Sequence, residues 1–361
     1  MSAHDPVRVV RATAAQSGAV AILQLHGRSS RILLCNLTGR ERFEDGRLYL
    51  IDFAGIDRGL AVCRGDDWAQ LFPHGGPRVV QKITEWLVQA GAVLSNAPDP
   101  RELYPEADSD IEADMLAALA RAASPAAIDL LAVQPQLWRA AVAGTEKEKL
   151  NAHDFLLASA DPRDHLLTPP SVVVVGRPNV GKSTLTNRLM GRAASLVADL
   201  PGTTRDWVGG LVEIALGESS LALRWLDTPG LRTSDDAVEQ RAIELARRVV
   251  AEADVLIAMR DPDTDWPAGD ALPHEPRVWL VNKVDQPTQR GGDGLSADAP
   301  LAISALHGHG LDHLQRRIVE ALGLDAPDPH QPWVFSETLH RLLRGGGDIA
   351  AYLAPTRRAQ V

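Results

Sequence analysis

One nine-residue stretch constrains this chain more than any other. Val172–Val175 is a continuous β-branched run, the pattern of a strand buried on both faces. It leads directly into Gly176-Arg177-Pro178-Asn179-Val180-Gly181-Lys182-Ser183-Thr184, which satisfies G-x-x-x-x-G-K-[ST]. Glycines there let successive backbone N–H groups curl toward an anion, and a helix beginning near Lys182 adds its positive end. Leu185, Leu189 and Met190 continue at helical spacing. The stretch predicts a phosphate-binding loop in an α/β domain with a doubly wound, mostly parallel sheet. Asn179, Val180, Gly181 and Thr184 form its cradle, Lys182 reaches the β- and γ-phosphates, and the Ser183 hydroxyl is a ligand for Mg²⁺.

Three further elements choose the base. Asp227-Thr228-Pro229-Gly230 ends the apolar run Leu221–Leu226, which places an acid near Mg²⁺ and the Gly230 N–H near a γ-phosphate. Asn282-Lys283-Val284-Asp285 ends Val278–Val281, and the Asp285 carboxylate can accept both the N1 hydrogen and a 2-amino hydrogen of guanine. Adenine offers no such pair and would leave that carboxylate unsatisfied. Ser304-Ala305 follows Leu301–Ile303 and can present a backbone N–H to guanine O6. Ligands gather at strand ends in doubly wound sheets, so four ordered elements at strand ends predict a GTP/GDP site. Between the first two, Pro201–Asp206 offers Thr203 and Thr204, and a threonine hydroxyl there completes the Mg²⁺ shell only when a γ-phosphate is present.

The remaining chain is read more coarsely. Runs at Val7–Val10, Ala19–Leu25 and Leu48–Phe53, with a helix from Pro77 to Ala90, predict an α+β domain over 1–105. A helical segment and connector follow over 106–168, the nucleotide domain over 169–324, and a helical remnant over 325–361. Acids crowd 99–114, a spacing that fits a solvated linker running into a helix better than a metal loop. Ser109 with Glu112, and Thr145 with Glu148, are capping-box signatures, and Pro135 is expected to kink a helix restarted at Ser124-Pro125. One amphipathic helix, about Ser336–Arg344, is expected near the C-terminus.

Charge removes some function classes. The chain carries 37 Lys+Arg against 47 Asp+Glu, and each half, split at residue 168, is −5. Neither half has the basic excess of a duplex-DNA binder. Cys35 and Cys63 are too few for a disulfide framework or zinc cluster and read as core thiols. No apolar run approaches a membrane span, and His4, Asp5 and Arg8 interrupt any signal-peptide plan, so a cytoplasmic, non-membrane protein is expected.

Gly176–Thr184, Pro201–Asp206, Asp227–Gly230 and Asn282–Asp285 resemble the TrmE–Era–EngA group of bacterial GTPases. Within that group Val9–Gly27, His74-Gly75-Gly76-Pro77 and the helical stretch after Asp110 resemble the TrmE family, with its folate-binding-type N-terminal domain. The resemblance implies a potassium-dependent GTPase that acts with tRNA and a flavoprotein partner on wobble uridine and dimerises through its N-terminal domain. It implies K⁺ at Asn179 with main-chain oxygens of Ala198–Thr203, and catalytic roles for Lys182, Thr204 and Glu239. Leu231 stands where a water-positioning glutamine would be, and Glu239 matches the family position that orients water.

Two departures qualify the resemblance. Gln16-Ser17-Gly18 stands where the family has Arg-Gly-Gly, which removes a partner for an anionic ligand and counts against folate. The family ends in a Cys-Ile-Gly-Lys-type motif, whereas this chain has no cysteine after Cys63. A GTP-dependent switch or scaffold without tRNA chemistry is therefore an alternative, and an Era-like ribosome-assembly GTPase is another.

Overall fold

A computed structural model of the chain describes residues 6–13, 18–95, 99–143, 161–192, 208–228, 244, 247–267, 272–286, 300–324, 328–345 and 347–355. The chain forms two compact units, 1–121 together with 336–361, and 122–335. The helical segment expected over 106–168 is thus shared between them.

The first unit is built on strands β1 (Arg8–Arg11), β2 (Leu23–His26), β3 (Tyr49–Phe53), β4 (Asp57–Arg64), β5 (Trp68–Phe72) and β6 (Val93–Leu94). They lie in the order β3-β4-β5-β2-β1-β6, antiparallel except for the β1–β6 pair. One sheet face carries Leu23, Leu25, Ala61, Cys63, Ala69 and Leu71, packed with Leu34 and Leu37 of helix Ser30–Thr38 and Ile83 and Leu87 of helix Pro77–Gln89. Proline at the first turn of the second helix replaces an N–H that would have no partner. The expected Ala19–Leu25 strand begins only at Leu23; Val20 makes an isolated bridge to His74 instead.

The acidic stretch 99–114 is less solvated than its composition suggests. Arg101 pairs with Asp110, and Arg8 with Glu102. Asp114 is buried in helix Asp110–Arg121, where its Oδ2 accepts hydrogen bonds from the Tyr352 hydroxyl at 2.6 Å and the Ser336 hydroxyl at 2.7 Å. Burial, with the neighbouring Asp114 charge, drives the Tyr352 hydroxyl strongly up from its ordinary value. The Glu112 carboxylate accepts the Asp108 N–H, one residue earlier than a capping box predicts. The C-terminal stretch holds two helices, Glu337–Gly345 and Ile349–Leu353, where one was expected. Ser336 caps the first through the Leu339 N–H, and Asp348 starts the second by accepting the Ala351 N–H at 2.9 Å.

In the second unit β7 (Ser171–Gly176), β8 (Val208–Leu216), β9 (Ser219–Asp227), β10 (Val255–Arg260), β11 (Val278–Val281) and β12 (Leu301–Ala302) form a sheet in the order β12-β11-β10-β7-β9-β8. All neighbours are parallel except the β8–β9 hairpin. Val172, Val173 and Val174 are fully buried in the central strand, as a parallel sheet covered on both faces requires. Helices Lys182–Arg192 and Leu311–Ala321 belong to this unit. The helix expected to kink at Pro135 instead stops and restarts, as Ala126–Ala132 and Gln134–Ala143. Pro135 thereby occupies a first helical turn, where it breaks no hydrogen bond. Thr145 and Glu148 lie outside the described residues.

Candidate guanine-nucleotide site

The phosphate loop runs from the end of β7 to the helix Lys182–Arg192. Asn179 is exposed and held in the left-handed region at φ 66°, while Val180 beside it is fully buried and anchors the loop. Gly181 has φ 99°, and a Cβ built there would lie 2.3 Å from Nδ2 of Asn282. At Gly176 a Cβ would lie 2.3 Å from the Met259 carbonyl oxygen of β10. Both glycines are required by close approach rather than by turn chemistry alone. Ser183 and Thr184 are exposed on the first turn of the helix.

Lys182 is buried, and its Nζ donates to the carbonyls of Gly176 at 3.1 Å and Arg177 at 3.3 Å. The Ser183 hydroxyl donates to Asp227 Oδ2 at 2.7 Å, at the end of β9. Asp227 Oδ1 is buried and has no hydrogen-bond partner among the described residues. Burial pushes the Asp227 carboxyl above its usual range, against the Ser183 hydrogen bond and the Lys182 charge. The same burial pulls the Lys182 ammonium down, against the attraction of Asp227. A polyphosphate would oppose the downward shift on Lys182, and a cation would oppose the upward shift on Asp227.

These residues fit Mg²⁺. No group of three His, Cys, Asp or Glu side chains is poised for a metal among the described residues. A single carboxylate with a spare oxygen, one hydroxyl, phosphate oxygens and water is the set Mg²⁺ prefers. Thr203, Thr204, Gly230, Leu231 and Glu239, and the main chain of 198–203, lie outside the described residues.

The base side of the site centres on Asn282, which is buried between two loops. Its Nδ2 donates to the Val180 carbonyl at 2.9 Å, and its Oδ1 accepts the Ala305 N–H at 2.8 Å. One side chain thus braces the phosphate loop against the Ser304-Ala305 turn. Of the Ser304-Ala305 pair expected to offer an N–H to guanine O6, the Ala305 N–H is engaged by this brace. Lys283 sits at φ 60° and reaches Asp261 at 3.0 Å, at the end of β10. Asp285 lies beyond it with its side chain 20% exposed. Ser304 heads a closed turn: its N–H donates to the His309 carbonyl at 3.1 Å, and its carbonyl accepts the Gly308 N–H at 2.7 Å.

Other contacts carried no sequence signal. The indole N–H of fully buried Trp225 in β9 donates to the Thr186 hydroxyl on the phosphate-loop helix at 2.8 Å. Arg188 of the same helix donates to the Leu306 carbonyl at 2.6 Å. Arg177 faces Asp265 at 3.6 Å on the surface. His307 stands beside Asp285, which no spacing rule suggests.

A doubly wound sheet with a glycine loop after its central strand, a strand-end Asp on the loop serine, and an Asn-Lys-x-Asp turn defines a P-loop GTPase. Residues 171–283 match the family profile described as 50S ribosome-binding GTPase. The tRNA modification GTPase MnmE of Neisseria meningitidis serogroup C is 31% identical over 386 residues, covering 90% of this chain and 83% of that one. MnmE of Parasynechococcus marenigrum is 38% identical over 174 residues, 46% of this chain and 37% of that one. Among solved structures, Aquifex aeolicus Era bound to GDP·AlF4⁻ is 30% identical, covers 44% of this chain and 57% of that one, and superposes with a TM-score of 0.32. The chain belongs to the MnmE family of GTPases.

Proposed function

We propose that the chain hydrolyses GTP to GDP and phosphate and that this turnover serves tRNA modification at wobble uridine. The observation that carries the reading is the Asn282 brace, which couples the loop that reads the base to the loop that holds the phosphates. The alignment over 90% of the chain with a protein named for tRNA modification supports the RNA role. In this reading Asp285 accepts the guanine N1 and 2-amino hydrogens, and Lys182 offsets charge on the β- and γ-phosphates. Ser183, Asp227 and Thr204 hold Mg²⁺, which when bound neutralises charge across those phosphates. Leucine at 231 cannot orient water, and Glu239 takes that role. Asn179 with main-chain oxygens of 198–203 holds K⁺. Among the described residues no helix is long and apolar enough to cross a membrane. The reading places the protein in the cytoplasm, as a homodimer through its N-terminal unit, with tRNA and a flavoprotein as partners. Folate is not part of it.

The test is complementation of a strain lacking the gene with the native protein or Lys182→Ala, followed by mass spectrometry of wobble-uridine nucleosides. Native protein should restore the modification and Lys182→Ala should not. An unchanged wobble-uridine profile on loss of the gene would refute the RNA role. Phosphate release in matched KCl and NaCl tests the ion: faster turnover in KCl, abolished by Asn179→Ala, is expected.

A further inference from the structure

The turn after β12 brings an imidazole to the guanine-reading acid. Ser304 Oγ accepts the His307 N–H at 3.2 Å, and the Ser304–His309 and Gly308–Ser304 main-chain bonds close the turn around it. That closure sets His307 Nε2 3.6 Å from Asp285 Oδ2. The His309 ring lies 6.0 Å from the His307 ring, centroid to centroid, tilted by 31°. Neighbouring cations are turned elsewhere, Lys283 to Asp261 and Arg188 to the Leu306 carbonyl. Among the described residues the two imidazoles are therefore the titratable groups that face this carboxylate.

We propose that His307 is a positioning residue for guanine recognition, whose protonated ring competes for the carboxylate oxygen that the base needs. The inference rests on the reading of Asp285 as the guanine acceptor. Guanine donates two hydrogens, one to each oxygen of the carboxylate, so a cation drawn to Oδ2 weakens one of those two bonds. A hydrogen bond from Ser304, helped by its own backbone and by the two histidines, holds the Asp285 carboxyl below the usual range. Asp285 stays ionised across mildly acidic pH, and an imidazole is the kind of group that changes charge there. The sign follows. A neutral ring does not compete for the carboxylate, whereas an imidazolium draws Oδ2 and lowers affinity. His307 has a side chain 53% exposed, so the pair is screened and the effect is modest, about two- to fivefold.

The experiment titrates the full chain with fluorescent GDP at pH 8.0 and 5.8 at constant ionic strength, alongside His307→Gln and His307→Lys. The terminal phosphate of the nucleotide also titrates in this range, but it is common to all three proteins and cancels when their ratios are compared. Relative to His307→Gln, the native chain should lose about two- to fivefold in affinity at the lower pH. His307→Lys, cationic at both values, should bind weakly at both without that extra step. A native pH profile that coincides with that of His307→Gln would overturn the proposal. No GDP binding by the native chain at either pH would instead overturn the guanine-site reading beneath it.

Discussion

Gly181 occupies a backbone conformation that side chains with a Cβ rarely adopt, and the space for that Cβ is taken by Asn282. Gly181→Ala should therefore cost about 1–3 kcal/mol in backbone strain and displace the brace. Loss of the two Asn282 hydrogen bonds should weaken GDP binding by about tenfold or more, measured by calorimetry, with a lowered melting temperature. The glycine itself was legible in the sequence because the loop demands it. Asn282 was legible as a site residue but its brace was not, since its hydrogen bond to Val180, 102 positions away, leaves no periodic trace. His26 carried no signal either; it is buried in β2, with its Nε2 3.2 Å from Gln24 Oε1. Burial, and then the Arg8 charge, lower its pKa from 6.5 to about 4. In the unfolded chain it takes a proton near pH 6.5 that the folded chain refuses. Its contribution to stability is thus present above pH 6.5 and is lost as pH falls toward 4, by up to about 3 kcal/mol. Urea unfolding at pH 7.0 and 4.5 should show a smaller pH loss for His26→Gln than for the native chain.

Between elements, burial explains only part of what was legible. β7 and β11 of the nucleotide unit read as apolar runs, whereas β10 was not read although Val255–Met259 are buried. β4 and β5 were missed, since they alternate core residues such as Ala61, Cys63 and Ala69 with exposed or half-buried ones such as Arg58, Leu60 and Gln70. A sheet with one core face carries a weaker signal than a parallel one. The packing of the phosphate-loop helix on β9 was equally hidden. Trp225 and Thr186 are both fully buried and share one hydrogen bond. Trp225→Phe should cost about 2–4 kcal/mol, from the smaller ring and from the hydroxyl left without its donor. A double-mutant cycle with Thr186→Val should return a positive coupling of about 0.5–1.5 kcal/mol in urea unfolding. Strict additivity would mean that the hydrogen bond contributes nothing to holding helix and strand together.

For the molecule as a whole, the motifs reveal where the nucleotide site is but not how far its supporting unit extends. The motifs span 176–305, and the flanking runs suggested a domain of 169–324. The compact unit is larger, 122–335, and particular side chains make it so. Trp333 is fully buried; its N–H donates to Gln134 Oε1 at 2.7 Å and its carbonyl accepts the Trp138 indole N–H at 2.9 Å. Arg163 donates to the carbonyls of Gln331 and Pro332, both at 2.9 Å, and stacks over the Trp333 ring at 5.6 Å. On the sheet side the Ser124 hydroxyl accepts the Ala222 N–H of β9 at 3.0 Å, which ties the 122–143 region to the strand that ends in Asp227. A fragment of 169–324 lacks all of these partners and exposes the apolar surface they cover. A fragment of 122–335 keeps them. The longer fragment should unfold cooperatively and bind GDP within about twofold of the full chain, since no contact of the nucleotide site is cut. The shorter one should melt at least about 5 °C lower, corresponding to roughly 1.3–2.5 kcal/mol at this size. Thermal unfolding of the two fragments with and without GDP checks it. Equal melting temperatures would show that the 122–168 and 325–335 stretches pack against the nucleotide unit without supporting it.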